Sequence, residues 1–161
     1  MLYILNISFA LFVAFTGVTT AEHRCTCPNK ASGAFYDCDL PVSVYANKKR
    51  YLISDILTMN WWESLGHCRT INMHLGVVFN LNELEILKTS VLPGVKYWLS
   101  GYSINNVTGH FVWLSSGLEV RNDFWPEGQP ADGDCVVVSD AGLASASCKQ
   151  QLPFICQQYD A

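Results

Sequence analysis

The 161-residue sequence carries little charge: only 15% of its residues are Asp, Glu, Lys or Arg, and none of these occurs before Glu22. Its 10 Lys and Arg against 14 Asp and Glu give an acidic balance, which disfavours binding to nucleic acid or anionic membranes. The sequence also lacks the Gly-x-Ser-x-Gly elbow, the histidine metal motifs and the phosphate-binding glycine loop of common enzymes. We therefore expect a protein that is not an enzyme and has no nucleic-acid or membrane partner.

Only one long apolar run is present, at residues 2–18. It ends at Thr19-Thr20-Ala21, which places small residues at the positions required for cleavage before Glu22. These features predict a signal peptide over residues 1–21 and a secreted, extracellular protein. A membrane anchor is the less favoured alternative, because the run is short for a span and no Lys or Arg flanks it. The 140 residues that follow suit a single domain.

Seven cysteines are present, and in an oxidising compartment they are expected to form disulfides. Zinc binding is disfavoured because the sequence has no Cys-x2-Cys pair and its four histidines are scattered. Since seven is odd, at least one thiol stays free or bonds to another chain. The candidates are Cys25 and Cys27, which are too close together to pair readily with each other.

A first helix is predicted after residue 60. Asn60 and Glu63 have the spacing of a capping box, in which each residue's side chain accepts a hydrogen bond from the other's backbone N–H. Trp61, Leu65 and Cys68 then fall on one helical face, which makes this face apolar.

A strand is predicted before this helix and a second helix after it. The strand covers Lys48–Ser54 and follows a turn at Ala46-Asn47. Asn80 with Glu83 repeats the capping signature and predicts a shorter helix that ends before Pro93-Gly94.

The second half of the sequence alternates short aromatic and β-branched runs with turns rich in Gly, Asn, Ser and Asp. Its longest loop, Asn122–Asp134, contains two prolines and two glycines that limit regular structure. Two helices followed by short strands predict an α+β domain. The predicted strands are Tyr97–Leu99, His110–Leu114, Cys135–Ser139 and Pro153–Cys156.

Four cysteines and several tryptophans have a specific spacing. The motifs are Trp61 seven residues before Cys68, the strand Trp98-Leu99-Ser100-Gly101, the segment Trp125–Pro130, Cys135 followed by three valines, and Cys148 eight residues before Cys156. They resemble the C-type lectin-like domain family over residues 44–157. The resemblance implies a C-type lectin-like fold of two helices, short antiparallel sheets and a long loop, stapled by disulfides. Residues 22–43 would then form an N-terminal cysteine-containing segment, and residues 158–161 a tail.

The family resemblance also implies the disulfide pairing. Cys68 would pair with Cys156 and Cys135 with Cys148, worth roughly 4–5 and roughly 3 kcal/mol in the loop-entropy model. In the long form of the family Cys38 would bond Cys27 or Cys25.

The Cys-x-Cys just before the domain is similar to that of small secreted insect immune lectins, in particular mosquito lectins that form disulfide-linked heterodimers. This likeness implies a disulfide-linked second lectin chain, identical or different, with Cys25 as the interchain candidate. It further implies a role in innate immunity, either in binding microbes or in regulating melanisation, with a glycan or protein surface as the ligand.

Sugar-binding members of the family hold calcium in the long loop, through a Glu-Pro-Asn or Gln-Pro-Asp triplet, a nearby Glu and an Asn-Asp pair. Here the triplet corresponds to Gln129-Pro130-Ala131, the Glu to Gly133, and the Asp of the pair to Ser145. Since calcium needs six to eight oxygen ligands, the resemblance implies that calcium-dependent sugar binding is lost and that the chain has no cofactor. Pro130 occupies a position that is often cis in the family.

An alternative remains open, because acidic residues are enriched near this loop. Gln129, Asp132 and Asp134 could hold a rearranged calcium and make the chain a calcium-dependent, galactose-type lectin. The interpretation we favour is that these acids are solvated and keep the loop exposed.

Two further features concern the surface and the core. Asn106-Val107-Thr108 is a glycosylation sequon outside the signal peptide, so we expect a glycan on Asn106. Trp125 could stack on a sugar ring, but we expect it to pack in the core, together with Trp61, Trp98 and Trp113.

Overall fold

The computed structural model describes residues 42–46, 48–104 and 109–159. Its elements follow in the order β1 (Val42–Ala46), β2 (Lys49–Met59), α1 (Trp61–Thr70), β3 (His74–Leu75), α2 (Leu81–Ser90), β4 (Tyr97–Ser103), β5 (Phe111–Trp113), a 3-10 turn (Asn122–Phe124), β6 (Cys135–Ser139), β7 (Gly142–Ala146) and β8 (Leu152–Tyr159). The predicted α+β class is confirmed. No helix in these ranges is both long and apolar enough to cross a membrane.

Helix α1 begins as its sequence predicts. The Asn60 side chain accepts a hydrogen bond from the Glu63 backbone N–H at 2.9 Å, and Glu63 accepts one from the Asn60 backbone N–H at 3.0 Å. Trp61, Leu65 and Cys68 are buried on the inner face. The capping box therefore sets the start of the helix, and the apolar face sets its orientation on the sheet.

Helix α2 starts at the predicted cap but uses its glutamate differently. Asn80 accepts a hydrogen bond from the Glu83 backbone N–H at 2.9 Å. The Glu83 carboxylate, however, accepts from the backbone N–H of Phe79, at 2.8 Å. The predicted helix is confirmed and ends at Ser90, before Pro93-Gly94.

The strands form one connected, mixed sheet in the order β1-β2-β8-β4-β6-β7, in which β3 also pairs with β8 and β5 with β4. Every pairing is antiparallel except that of β4 with β8. Two groups of buried side chains pack around this sheet, and Trp61, Trp98 and Phe154 lie in the one that also contains Cys68 and Cys156.

The strands differ from the sequence prediction in several places: β1 and β3 were not predicted, and β4 and β8 are longer than expected. The strand predicted over Lys48–Ser54 continues as β2 to Met59, past an irregularity in its pairing with β8. Strand β7, which the sequence analysis did not predict, pairs with β6 along its whole length. Its sequence, Gly-Leu-Ala-Ser-Ala, is poor in the residue types that favour strands, so its pairing with the valine-rich β6 determines its structure.

Candidate functional site

The long loop is anchored on the core by aromatic side chains. Phe124 is buried, and Trp125 is half-buried with its ring centroid 5.2 Å from that of Phe111. Trp125 thus packs against the core, as we expected. The other three tryptophans that we predicted to be in the core are all buried, namely Trp61, Trp98 and Trp113.

The side-chain amide of Gln129 is occupied by hydrogen bonds within the loop. Its Oε1 accepts from the backbone N–H of Ser145 at 3.0 Å and from that of Ala131 at 3.2 Å. The peptide bond between Gln129 and Pro130 is cis. Gln129 therefore ties the loop to strand β7 through the Ser145 N–H and holds the loop's own backbone through the Ala131 N–H.

The Ser145 hydroxyl completes the same network. Its Oγ accepts from the Ala131 N–H at 2.9 Å and donates to the backbone carbonyl of Asp132 at 3.4 Å. Ser145 is 7% exposed. Gln129 and Ser145 are the two family ligand positions that retain a side-chain oxygen in this sequence. Both oxygens thus bond to the chain's own backbone.

Gly133 stands where the resemblance implies a glutamate ligand. Its φ is +112°, in a region that residues with a side chain rarely adopt, and a Cβ there would lie 2.2 Å from the carbonyl carbon of Ala146. In this loop conformation, position 133 therefore has no room for any side chain.

The loop acids do not form a ligand cluster. Asp132 is exposed and Asp134 is half-buried. Asp123 accepts hydrogen bonds from Arg121 at 2.9 and 2.6 Å, which lower the pKa of its carboxyl. Throughout the described ranges, no three His, Cys, Asp or Glu side chains are grouped so as to hold a metal ion.

These residues do not fit the calcium that the family holds in this loop. Calcium takes six to eight oxygens, several of them from carboxylates. Here the Gln129 oxygen already accepts two N–H donors, the Ser145 hydroxyl is engaged twice, and position 133 has no side chain. Instead, the side chains of Gln129 and Ser145 connect the loop to β7 by hydrogen bonds.

Two disulfides bridge elements of the domain. Cys68 is bonded to Cys156, and Cys135 to Cys148, which are the two core pairings that the resemblance implies. The remaining cysteine predictions, for Cys25, Cys27 and Cys38, and the glycosylation prediction for Asn106 lie outside the described residues.

The sequence analysis missed a buried ion pair that joins α2 to β2. Lys49 Nζ donates to Glu83 Oε2 at 2.7 Å, and the Tyr51 hydroxyl lies 3.1 Å from the same oxygen. Burial lowers the pKa of Lys49, and the hydrogen bond to Glu83 opposes this shift. The sequence signal for this pair was the position of Lys49 in alternation with the buried residues of its strand. It could not identify Glu83, which is 34 residues away in sequence.

Most of the described part of the chain is similar to known lectins and lectin-like receptors. A family model for the lectin C-type domain matches residues 57–158. C-type lectin 37Db of Drosophila melanogaster is 31% identical over 120 residues, which cover 68% of this chain and 77% of that protein. Killer cell lectin-like receptor subfamily F member 2 of Homo sapiens is 30% identical over 98 residues, 61% of this chain but only 47% of the receptor.

The fold agrees with that assignment. The carbohydrate-recognition domain of the mouse scavenger receptor C-type lectin matches with a TM-score of 0.66 at 19% identity, over 74% of this chain and 94% of that domain. The lectin-like fold expected from the sequence motifs is thereby confirmed. With its two helices, mixed sheet and two bridging disulfides, the chain belongs to the lectin C-type domain family.

Proposed function

We propose that this chain is a secreted, non-enzymatic recognition subunit of insect type that binds a glycan or protein surface without calcium in its long loop. It acts in innate immunity, in microbe binding or in the regulation of melanisation, together with a second lectin chain to which it is joined by a disulfide. The galactose-type, calcium-dependent alternative is the weaker candidate.

The observation that carries the proposal is the bonding of Gln129. For Gln129 to bind calcium, its Oε1 would have to give up hydrogen bonds from Ala131 and Ser145. The Ala131 N–H would keep the Ser145 hydroxyl as its acceptor, whereas the Ser145 N–H would be left without one. Leaving a buried donor unpaired costs about 1–3 kcal/mol. Since few other oxygens converge on the loop, little binding energy is available to offset this cost.

The remaining parts of the proposal rest on the sequence. The similarity to a Drosophila C-type lectin supports an insect-type lectin. The apolar run before Glu22 supports secretion. The odd cysteine count, with Cys25 and Cys27 so close together, supports a bond to a second chain.

Co-sedimentation tests the calcium-independent recognition. The secreted chain, with whatever partner remains bonded to it, would be mixed with heat-killed bacteria, yeast cell walls or insoluble chitin, in calcium and in EDTA. We expect the same bound fraction in both buffers. Binding that requires calcium, or no binding to any of these surfaces, would contradict the proposal.

A non-reducing gel tests the partner. We expect a band at the mass of a dimer that converts to a monomer on reduction and is lost when Cys25 and Cys27 are both replaced by Ser. A monomer with one titratable thiol in the unmodified protein would contradict the disulfide-linked assembly.

A further inference from the structure

Two neighbouring aromatic rings, one exposed and one half-buried, lie between α1 and β4. Trp62, in the first turn of α1, is 54% exposed, and its ring centroid is 5.4 Å from that of the half-buried Tyr102 on β4. We call Trp62 and Tyr102 the aromatic platform. Tyr102 pairs with Cys135 at the start of β6, so the platform lies beside the point where the long loop ends.

The platform is held in place from beneath. The buried ring of Trp61 contacts both members, at a centroid distance of 4.6 Å to Trp62 and 5.4 Å to Tyr102. Trp61 itself is fixed by a hydrogen bond from its Nε1 to the Leu99 carbonyl, at 2.8 Å. Because the rings are already ordered, a ligand would lose little binding energy in arranging them.

The core does not require Trp62. The inner face of α1 is formed by Trp61, Leu65 and Cys68 together with Ser64, whereas Trp62 lies on the outer face. The other exposed residues of α1 are not apolar: they are Glu63, Gly66, Arg69 and Thr70. Trp62 is thus the single exposed apolar side chain of α1. One exposed ring offers less apolar area than a typical protein interface, which favours a small ring as the ligand.

Gly66 leaves the platform uncovered. It lies one turn after Trp62 on the same side of the helix, and a Cβ built on it meets nothing within 4 Å. Packing therefore does not require glycine here, although glycine destabilises the interior of a helix relative to alanine. Because side chains in a helix lean toward its N-terminus, a larger residue at position 66 would lie over Trp62.

Both rings also offer polar groups. Within the described ranges, neither the indole N–H of Trp62 nor the hydroxyl of Tyr102 hydrogen-bonds to another residue of the chain. Tryptophan and tyrosine combine an apolar face with such a polar group. A pyranose ring is complementary to this arrangement, since one face presents C–H groups that can stack on an aromatic ring and its edge carries hydroxyls.

We propose that the aromatic platform is a calcium-independent binding site for one pyranose ring of a glycan, stacked on Trp62 and hydrogen-bonded at its edge. This inference rests on the proposed function, because it specifies the surface through which a chain without loop calcium would bind sugar. The long loop is not part of this site.

Calorimetric titration in EDTA tests the site, with chitin-derived and β-1,3-glucan oligosaccharides as probes. We expect at least one probe to bind, and Trp62→Ala to weaken its binding about tenfold or more, as is usual when a central tryptophan contact is truncated. Gly66→Leu should weaken it similarly by covering the ring. Gly66→Ala and Leu118→Ala, the latter removing an exposed apolar side chain elsewhere, should bind like the unmodified protein.

Indole N–H signals in an NMR titration provide a second measurement that needs no destabilising variant. The Trp62 signal, assigned with Trp62→Phe, should shift as the oligosaccharide is added. The signal of buried Trp98, whose Nε1 donates to the Met59 carbonyl, should not.

The outcomes separate the two proposals. Full binding by both Trp62→Ala and Gly66→Leu overturns the platform, while EDTA-insensitive binding to cell surfaces leaves the proposed function standing. Absence of binding to every oligosaccharide overturns the platform as a sugar site. A change of sedimentation mass in Trp62→Ala overturns it in favour of a protein interface, and oligosaccharide binding that requires calcium overturns the proposed function.

Discussion

At the scale of single residues, Gln129 stands where the resemblance implies a calcium ligand, but its side chain bonds to the backbone. Its side-chain oxygen joins the backbone of residues 131 and 145. The identity of the residue, and its likeness to a calcium ligand, could be read from the sequence. Its hydrogen-bond partners could not, because they depend on how the loop lies against a strand 14 to 16 residues away.

Replacing Gln129 by Ala should destabilise the protein by about 1–3 kcal/mol even in EDTA, because the backbone N–H of the buried Ser145 loses its acceptor. Gln129→Glu, which keeps an oxygen at this position, serves as the control and should be much closer to the unmodified protein. Denaturant unfolding measures both. An unchanged midpoint for Gln129→Ala in EDTA would mean that this side chain does not hold the loop.

The hydroxyl of Tyr97 makes the stability of the folded protein depend on pH. Burial raises its pKa, as does the hydrogen bond that it donates to Asp55. Since the folded state keeps the proton, the stabilisation is complete below the unfolded-state value near 10 and decreases as the pH rises above it.

Tyr97→Phe should therefore be destabilised at pH 8 by about 1 kcal/mol, the typical contribution of one hydrogen bond. At pH 10.5 the difference from the unmodified protein should shrink by about 0.8 kcal/mol, because only the protein with Tyr97 can ionise this group on unfolding. Guanidinium titrations at the two pH values measure this change. A difference that stays constant or grows would contradict the assigned pKa shift.

At the scale of elements, the ion pair between Glu83 and Lys49 attaches helix α2 to the sheet. The capping pattern in the sequence did not indicate this pair. The sequence predicted Asn80 and Glu83 at the start of the helix, and the Asn80 cap is present. The Glu83 carboxylate instead faces Lys49 on β2. Local patterns predict local bonds, whereas a contact between distant segments depends on the packing of the whole domain.

Breaking this pair by Glu83→Gln should cost about 3–5 kcal/mol, because it leaves the buried Lys49 ammonium without its counter-charge. Glu85→Gln on the same helix is the matched control. Glu85 pairs with Lys88 on the surface, with 63% of its side chain exposed, and such pairs contribute about 0–1 kcal/mol. Equal losses in the two variants, measured by denaturant unfolding, would show that the buried pair adds nothing.

The conformation of the long loop likewise depends on its contact with β7. Gly133 lies against the backbone of β7 at Ala146, whereas a Cβ at Gly128 meets nothing within 4 Å. Both glycines have positive φ, at +112° and +79°. The sequence showed that the glutamate of the family was absent at position 133, but it did not show that a side chain would no longer fit there.

Gly128→Ala should therefore cost about 1–3 kcal/mol, from backbone strain alone. Gly133→Ala should cost clearly more, since the added methyl group also collides with β7. Thermal unfolding of both variants compares them directly. Equal effects would indicate that the loop can move away from β7.

At the scale of the whole molecule, the sequence predicted the parts whose signals are local or fixed by family spacing. These parts are the two capped helices, the four late strands and the core disulfides. It missed β1 and β3. It also missed β7, because five small or weakly strand-forming residues become a strand only when they pair with β6. For the loop acids it favoured solvation over calcium binding, from the lost ligand positions alone. The hydrogen bonds of Gln129 and Ser145 could not be read from it.

The central claim is that the loop replaces the family's calcium with bonds from its own backbone. Calcium titration calorimetry on the secreted, disulfide-bonded protein tests it most directly, with the melting temperature measured in calcium and in EDTA as the companion reading. We predict no binding heat and the same melting temperature in both. Saturable binding of calcium at micromolar to low-millimolar concentration, with a higher melting temperature in calcium, would contradict the claim.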